Sequence, residues 1–564
     1  MNVRKIVSVL LVLALGFAVL AGCQTAGGKR TITAGTYTAV SHGFYGDFDV
    51  TVTVSDTAIT AITTGPYKET EALGGKAIKL LTENIIAANT AGVDGISGAT
   101  ITSAAFRAAV RDALTQAGAS SAFTAPPTKA AVANQTLTTD VLVIGAGAAG
   151  FSAAITAAQG GAKVTIIEKQ DIVGGSTVTS AGIVYAALDP SDYTKMADYY
   201  MARAEGNANR ELLQYFAEHS LETIQFLEDA GVKWLFSAPA GTAPEPRARF
   251  STHENGPAMI GSSLINPLEA KALSLGVTIL TGVRGTELIQ NSSGVITGAK
   301  ATSKQGNYTI TARAVVLATG GFDASDELIA KYSPIAAGDI PLSSKGNTGD
   351  GIIMGIAAGA ATEFKGGIIG FEFVDSRLPD SGNNAAAMGA PLFVKGDGTF
   401  IAPAGDYPIN YTALKKAGGR DFFGIYDSTP GFDGSDGAAG AKLAISQGFG
   451  CSGNTIEELA AASGMDAAKL TAAIGQVRSL TTAPYYAVVV KPTSIGSMGG
   501  LRTNAAAEVL RDGTLSPIPG LYAAGEVANG GFYNIEYPAS GSSNSLAFTF
   551  GRAAGTNAAI YIAK

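Results

Sequence analysis

The sequence predicts an α/β protein of several domains, and three observations carry that prediction. The first is a strand–turn–helix–strand unit from Thr139 to Gln170, TDVLVIGAGAAGFSAAITAAQGGAKVTIIEKQ. The second is a set of alternating strands and short helices between Thr31 and Gly118. The third is the stretch Ala119 to Leu137, polar, small and proline-broken, which reads as a linker between the two. At 564 residues the chain holds roughly three or four domains. A hydrophobic content of 46% and a charged content of 15% describe a globular protein with ample core. The net charge of −7 gives no general basic field, which argues against nucleic acid as a partner.

The first residues read as a targeting signal rather than as structure. Arg4 and Lys5 precede an apolar run, Ile6 to Val19, that ends in Leu20-Ala21-Gly22-Cys23. The run is short for a membrane span, and small residues before a cysteine mark a processing site. The tetrapeptide resembles a bacterial lipobox. That resemblance implies cleavage before Cys23, a lipid on its sulfur, and an extracytoplasmic protein held to a bacterial membrane by its lipid anchor alone. Ordinary secretion with an incidental cysteine is the alternative. With Cys23 lipidated, Cys451 stands alone, so neither a disulfide framework, a CxxCH haem site nor an Fe–S cluster is expected.

After a tether at 24–30, residues 31–118 predict a small α+β domain. Thr36 to Val40 and Phe48 to Val54 alternate as strands, while Ile78 to Leu81 and Ala104 to Leu114 read as helices. Between the helices lies Asp94-Gly95-Ile96-Ser97-Gly98-Ala99-Thr100. D-x-x-S-G-A-T resembles the motif of FMN-binding domains that carry flavin through a phosphoester on the threonine hydroxyl. The resemblance implies covalent FMN at Thr100, Ser97 within the motif, Asp94 helping to hold the metal used in flavin transfer, and a flavin transferase as partner. The alternative is that Ser97 to Ser103 only caps the following helix.

The linker, residues 119–138, leads into the first part of the nucleotide domain, 139–355. Val141 to Ile144 is a short apolar strand, followed by Gly145, Gly147 and Gly150 as G-x-G-x-x-G, then a helix of small residues. The first glycine permits the tight turn, the second lets a pyrophosphate approach, and the third lets helix pack on strand. The helix N-terminus holds phosphates, and Glu168 at the end of the second strand can accept hydrogen bonds from a ribose. This is the pattern of a Rossmann-like dinucleotide site.

Further motifs identify the dinucleotide. Val173-Gly174-Gly175-Ser176-Thr177, Ala318-Thr319-Gly320-Gly321, Asn347-Thr348-Gly349-Asp350-Gly351 and Gly520-Leu521-Tyr522-Ala523-Ala524-Gly525-Glu526 follow in order. Asn544-Ser545-Leu546 then opens a helix from Ala547 to Ile562. Together they resemble the fumarate reductase flavoprotein family. The resemblance implies a Rossmann-like FAD-binding domain closed by residues 492–564, with an α+β capping domain inserted at 356–491. It also implies Thr319, Gly320 and Asp350 beside the flavin, Glu526 on its ribityl or ribose hydroxyls, and Ser545 and Leu546 facing its N1–C2=O edge. His42, His219 and His253 share no metal spacing, and no metal site is expected.

The substrate end departs from the family. Its H-P-T is Phe371-Glu372-Phe373 here, its histidine before M-G-G is Ser497, and its A-N-R-L-G-G is replaced by Glu536-Tyr537-Pro538-Ala539-Ser540-Gly541. Its proton-delivering arginine falls near Asp406-Tyr407, which makes Tyr407 a candidate donor; a loop tyrosine with no catalytic role is the alternative. Two carboxylates call for paired cations, usually arginines, so fumarate and succinate fit poorly. Y-P-x-x-G instead resembles a motif of 3-ketosteroid dehydrogenases, which implies that Tyr537 and Gly541 hold a carbonyl oxygen. A packed aromatic in a proline turn is the alternative for Tyr537. Arg377 and Arg420 have no assigned role. The expected function is an extracytoplasmic flavin-dependent reductase of an activated C=C bond, fed by a membrane-bound donor through FMN. A ketone dehydrogenase running the other way and an electron carrier without its own substrate are the alternatives.

Overall fold

The computed structural model describes residues 30–128, 133–240, 243–251, 261–374, 389–403, 405, 407–419, 421–430 and 436–564. They divide into two compact units, with the boundary between 129 and 130. In the first unit, strands β1 (Gly35–His42), β2 (Asp47–Val54) and β3 (Ile59–Thr64) form an antiparallel sheet in that order. Val50, Val52 and Val54 of β2 are buried while the residues between them face outward, the period-2 pattern of a half-covered sheet. Helices α1 (Lys76–Ala88) and α2 (Thr100–Gln116) complete the unit. The second helix starts four residues before the expected Ala104, so Thr100 is its first residue rather than part of a loop. Ser103 drives that shift. Its Oγ accepts from Ile96 N at 3.1 Å and donates to Ala99 O at 2.7 Å, closing the turn around the motif.

The second unit is built on a mixed eight-stranded sheet. Strand β4 (Gln135–Ile144) runs parallel to β5 (Val164–Glu168), and β5 runs parallel to β6 (Thr278–Thr281). On the other side, β7 (Val283–Gln290), β8 (Ile296–Ser303) and β9 (Gly306–Leu317) form an antiparallel meander whose last strand lies parallel to β4. All five residues of β5 and the last four of β4 are buried, as a sheet covered on both faces requires. Helix α3 (Ala148–Gln159) follows β4. The sequence over 195–235 reads as one helical stretch but folds as two, α4 (Tyr193–Arg203) and α5 (Arg210–Asp229). Glu205 and Gly206 both adopt positive φ between them, and Asn209 caps the second helix through Glu211 N and Leu212 N.

Helix α6 (Asp350–Ala357) leads towards the inserted region. There β10 (Ile368–Phe373), β11 (Leu392–Lys395), β12 (Phe400–Pro403), β13 (Phe422–Tyr426) and β14 (Tyr485–Ser497) make a sheet ordered β10-β14-β13-β11-β12, with helix α7 (Tyr407–Ala417) beside β10. Strand β14 runs without a break through the expected domain boundary at 491/492. Strand β15 (Pro517–Ala523) returns to pair in parallel with the end of β9, and helix α8 (Ser542–Ala563) closes the chain. Helix α8 lies against α3 at a distance set by small residues: a Cβ on Gly555 would sit 2.3 Å from Ala153 O. No helix among the described residues is long and apolar enough to cross a membrane.

Candidate active site

The turn between β4 and α3 separates glycines needed by the protein's own packing from the one that faces open space. Gly145 has φ +111°, and a Cβ there would lie 2.2 Å from Ala318 O. On Gly150 it would lie 1.9 Å from Gly145 O. On Gly147 it would meet only Gly174 O, at 3.7 Å. The crowding falls on the first and third glycines, while the middle one leaves the approach a pyrophosphate requires. Gly147 caps α3 without a side-chain hydrogen bond. Glu168 braces the turn from below, its Oε2 accepting from Ala146 N at 2.8 Å and its Oε1 from Gln170 N at 2.9 Å. Burial raises its carboxyl above the ordinary glutamate range against those two bonds. Gly174 N donates to Ala146 O, which sets the Gly174–Gly175 loop across from Gly147; Ser176 and the buried Thr177 continue that loop.

Four of the separated motifs converge on one amide. Asn347 Nδ2 donates to Ser176 Oγ at 3.0 Å, to Asp323 Oδ1 at 2.9 Å and to Glu526 Oε2 at 3.3 Å. Its Oδ1 would stand 2.4 Å from a Cβ on Gly320. Asp323 also accepts from Ser343 Oγ, and Glu526 accepts from Ser497 N at 3.2 Å. Burial first, then the charge of Asp323, push the Glu526 carboxyl up to about 8, and burial raises Asp323 as well. Among the described residues Thr319 Oγ1 is buried without a hydrogen-bond partner, beside this cluster's turn. Asp350, by contrast, is fully engaged: Arg284 donates to it through Nε and Nη2 at 2.9 and 2.8 Å, and Lys169 Nζ at 3.0 Å. Burial would raise its carboxyl, but these cations hold it below the ordinary range.

The Glu526 environment has a consequence for stability. The folded chain keeps this proton up to about pH 8, whereas a free glutamate loses it near 4.5. The folded state therefore binds more protons across that window, and the stability of the cofactor-free protein should fall as pH rises from about 4.5 to 8 and then level off. Glu526→Gln should flatten that fall. Urea unfolding of both proteins at a series of pH values checks it, and an equal slope in the variant contradicts it.

The turn Glu536–Gly541 stands at the start of α8, which begins at Ser542 rather than at the expected Ala547. Tyr537 is buried, and its hydroxyl oxygen accepts from Ser543 N at 2.7 Å. Ser542, the first residue of α8, also hydrogen-bonds this phenol. Burial pushes the phenol well above its ordinary value, with the Ser543 N–H opposing, so the proton stays on. Gly541 has φ +87°, and a Cβ would lie 2.8 Å from Ile183 Cγ2; its N–H makes no hydrogen bond among the described residues. Ser545 donates to Tyr185 O, while Leu546 is buried in the first turn of α8.

In the first unit Thr100 is exposed at the start of α2, capped by Ala99 with no side-chain hydrogen bond. It borders an open groove of about 510 Å³ whose walls include Val40, Ile101, Ala104, Ala108 and Asp112. Asp94 is exposed and Ser97 half-buried in the loop before it.

Residues 140–366 and 448–544 match a family described as an FAD binding domain, and residues 43–115 match an FMN-binding domain. A urocanate reductase of Eggerthella lenta is 30% identical over 602 residues, with 96% of each chain covered. The chain belongs to the fumarate and urocanate reductase family of FAD-dependent oxidoreductases. Within that family, a vinyl phenol reductase of Lactiplantibacillus plantarum is 28% identical, covering 75% of this chain and 96% of that one. The structure of the open conformation of a flavocytochrome c3 fumarate reductase superposes with a TM-score of 0.63 at 28% identity, covering 76% of this chain and 79% of that chain. FAD and FMN are its cofactors. The Thr319 hydroxyl, the uncrowded Gly147 and the uncapped start of α3 fit the FAD that the family binds.

Against this family background the substrate end can be placed residue by residue. Ser497, the residue before Met498-Gly499-Gly500, is buried, and its Oγ accepts from Phe322 N at 2.9 Å. Phe371 and Phe373 lie stacked on one face of β10, with centroids 6.0 Å apart. Glu372, on the opposite face, accepts from Asn410 Nδ2 at 2.9 Å. Tyr407 opens α7, and its side chain lies outside the described residues, as do Arg377, Arg420, His253 and Cys23. His219 pairs with Glu222 on α5 and His42 with Asp47 on the first sheet. Asp323 and Asn347 were missed by sequence reasoning. Their signal was there, one beginning two residues after the T-G-G turn and the other opening N-T-G-D-G, but the convergence belongs to tertiary structure.

Proposed function

We propose that this chain reduces a C=C bond conjugated to a carbonyl or an aryl group, outside the cytoplasm, on electrons relayed from a membrane-bound donor through FMN carried on Thr100. One observation carries the reading: the buried, protonated Tyr537 phenol and the Gly541 N–H, which makes no hydrogen bond among the described residues, stand on one turn at the start of α8. FAD, which Gly147, the start of α3 and Thr319 would hold, would supply the hydride for the alkene. Tyr537 and Gly541 hold the carbonyl oxygen where negative charge develops, and the N-terminal end of α8 favours that charge. An acid of the capping domain protonates the α-carbon, and Tyr407 is the candidate. Phe371 and Ser497 stand where the family carries histidines, which favours a neutral or singly charged substrate over a dicarboxylate. The vinyl phenol reductase relative supports the same choice. The two donors would stabilise the same enolate in the reverse direction, so a ketone dehydrogenase is the second reading.

Lipid on Cys23 would keep the protein at the membrane face, and a flavin transferase would load Thr100. Thr100→Val should abolish covalent FMN while FAD content stays unchanged, read as loss of the flavin-fluorescent band on a denaturing gel and of the matching mass. A fluorescent band that survives contradicts the assignment. The reading as a whole is tested on protein lacking residues 1–23, reduced anaerobically by an artificial donor and offered fumarate, urocanate, cinnamate, 4-vinylphenol and cyclohex-2-enone. Faster turnover of a neutral or singly charged conjugated acceptor than of fumarate is expected; fumarate as the fastest acceptor overturns the substrate class.

A further inference from the structure

We propose that α4 sets the donor geometry of the Glu536–Gly541 turn, with Tyr199 and Tyr200 acting as positioning residues for alkene reduction. The inference rests on the reading of Tyr537 as a hydrogen-bond donor. Three residues on one side of α4 reach the turn. Tyr199 Oη donates to Pro538 O at 2.7 Å, Tyr200 Oη donates to Ser542 Oγ, and Arg203 Nη2 stands 3.6 Å from Glu536 Oε2. Ser542 Oγ passes its own hydrogen bond to Ala539 O at 2.7 Å. The residues on both sides of Tyr537 are therefore fixed to one helix.

That helix is itself rigidly seated. Tyr200 is 1% exposed, and its ring packs edge-on to Phe216 of α5 at 5.4 Å and tilted against Tyr185 at 5.8 Å. Tyr537 rests against Tyr533 at 5.9 Å. The phenol oxygen of Tyr537 is held by Ser543 N, so its position follows the first turn of α8, and Ser542 in that turn is what Tyr200 holds. Arg203 offsets the charge of Glu536, the neighbour of Tyr537, which would otherwise oppose negative charge on a bound oxygen. A donor displaced by about 1 Å loses on the order of 10²-fold in rate, so a clamp of this kind has a measurable effect.

The test is a double-mutant cycle on the FAD-loaded protein, with reduced methyl viologen as donor and cyclohex-2-enone as acceptor. Affinity for 4-hydroxybenzaldehyde, read from its perturbation of the oxidised flavin spectrum, is the second readout. Y200F should lower kcat by about 10-fold with KM and FAD content little changed, and should weaken the aldehyde. In a Y537F background the same change should cost less than about 2-fold in either readout, because Tyr200 acts through Tyr537. A Y200F effect of equal size in both backgrounds, or no effect in the parent, overturns the clamp. Parent-level kcat and aldehyde affinity in Y537F alone would overturn the donor reading instead, and the clamp with it.

Discussion

Tyr537→Phe should lower kcat for alkene reduction by about 10²–10³-fold while leaving FAD bound. The substitution keeps the ring, which is buried beside Tyr533, and removes only the hydroxyl. Two things are lost. The developing oxyanion loses its neutral donor, and Ser543 N loses an acceptor, the second loss costing stability of only about 1 kcal/mol. Because burial keeps the phenol protonated throughout the working range, the pH profile of the parent should show no limb from this tyrosine. Steady-state kinetics with flavin content measured on each preparation check both statements. A variant within about threefold of the parent in kcat contradicts the donor role.

The second large effect separates two glycines of one motif. Gly150→Ala places a Cβ 1.9 Å from Gly145 O, where backbone must move against backbone. We expect a destabilisation of about 3 kcal/mol or more, with FAD lost on purification. Gly147→Ala meets nothing nearer than 3.7 Å, so its cofactor-free form should unfold at the parent's denaturant concentration. Its FAD affinity should nonetheless fall, since the added methyl occupies the approach to the helix start. Urea unfolding of the cofactor-free proteins and FAD titration distinguish the two. Equal stability of both variants would show that the turn relaxes around Gly150.

Much of this was legible in the chain because the motifs are local. A buried parallel strand needs consecutive apolar residues, and a tight turn into a helix needs glycine at fixed spacing, so β4, α3 and β5 could be drawn from Thr139 to Gln170 alone. Helix starts were less legible. Thr100 to Ser103 and Ser542 to Leu546 are rich in hydroxyls that favour caps and turns, yet both runs sit inside the first turn of a helix. In each case a serine side chain bonds backward to a carbonyl, Ser103 to Ala99 O and Ser542 to Ala539 O, and that closure cannot be read from composition. Asp350 shows a different limit. Its motif resembles a turn beside a flavin, and its ion pairs with Arg284 and Lys169, distant in sequence, appear only in the fold. Tyr200 was hidden for the opposite reason: on an amphipathic helix a tyrosine reads as core, and only the fold reveals that its hydroxyl holds Ser542.

The most direct test of the central claim is an anaerobic stopped-flow experiment on the fully reduced protein, following flavin reoxidation as each acceptor of the panel is mixed in. A neutral or singly charged conjugated alkene is expected to reoxidise the flavin at least as fast as steady-state turnover, and Tyr537→Phe to slow this one step. No reoxidation by any alkene, with the oxidised flavin bleached by a saturated ketone, would contradict it and establish the dehydrogenase direction.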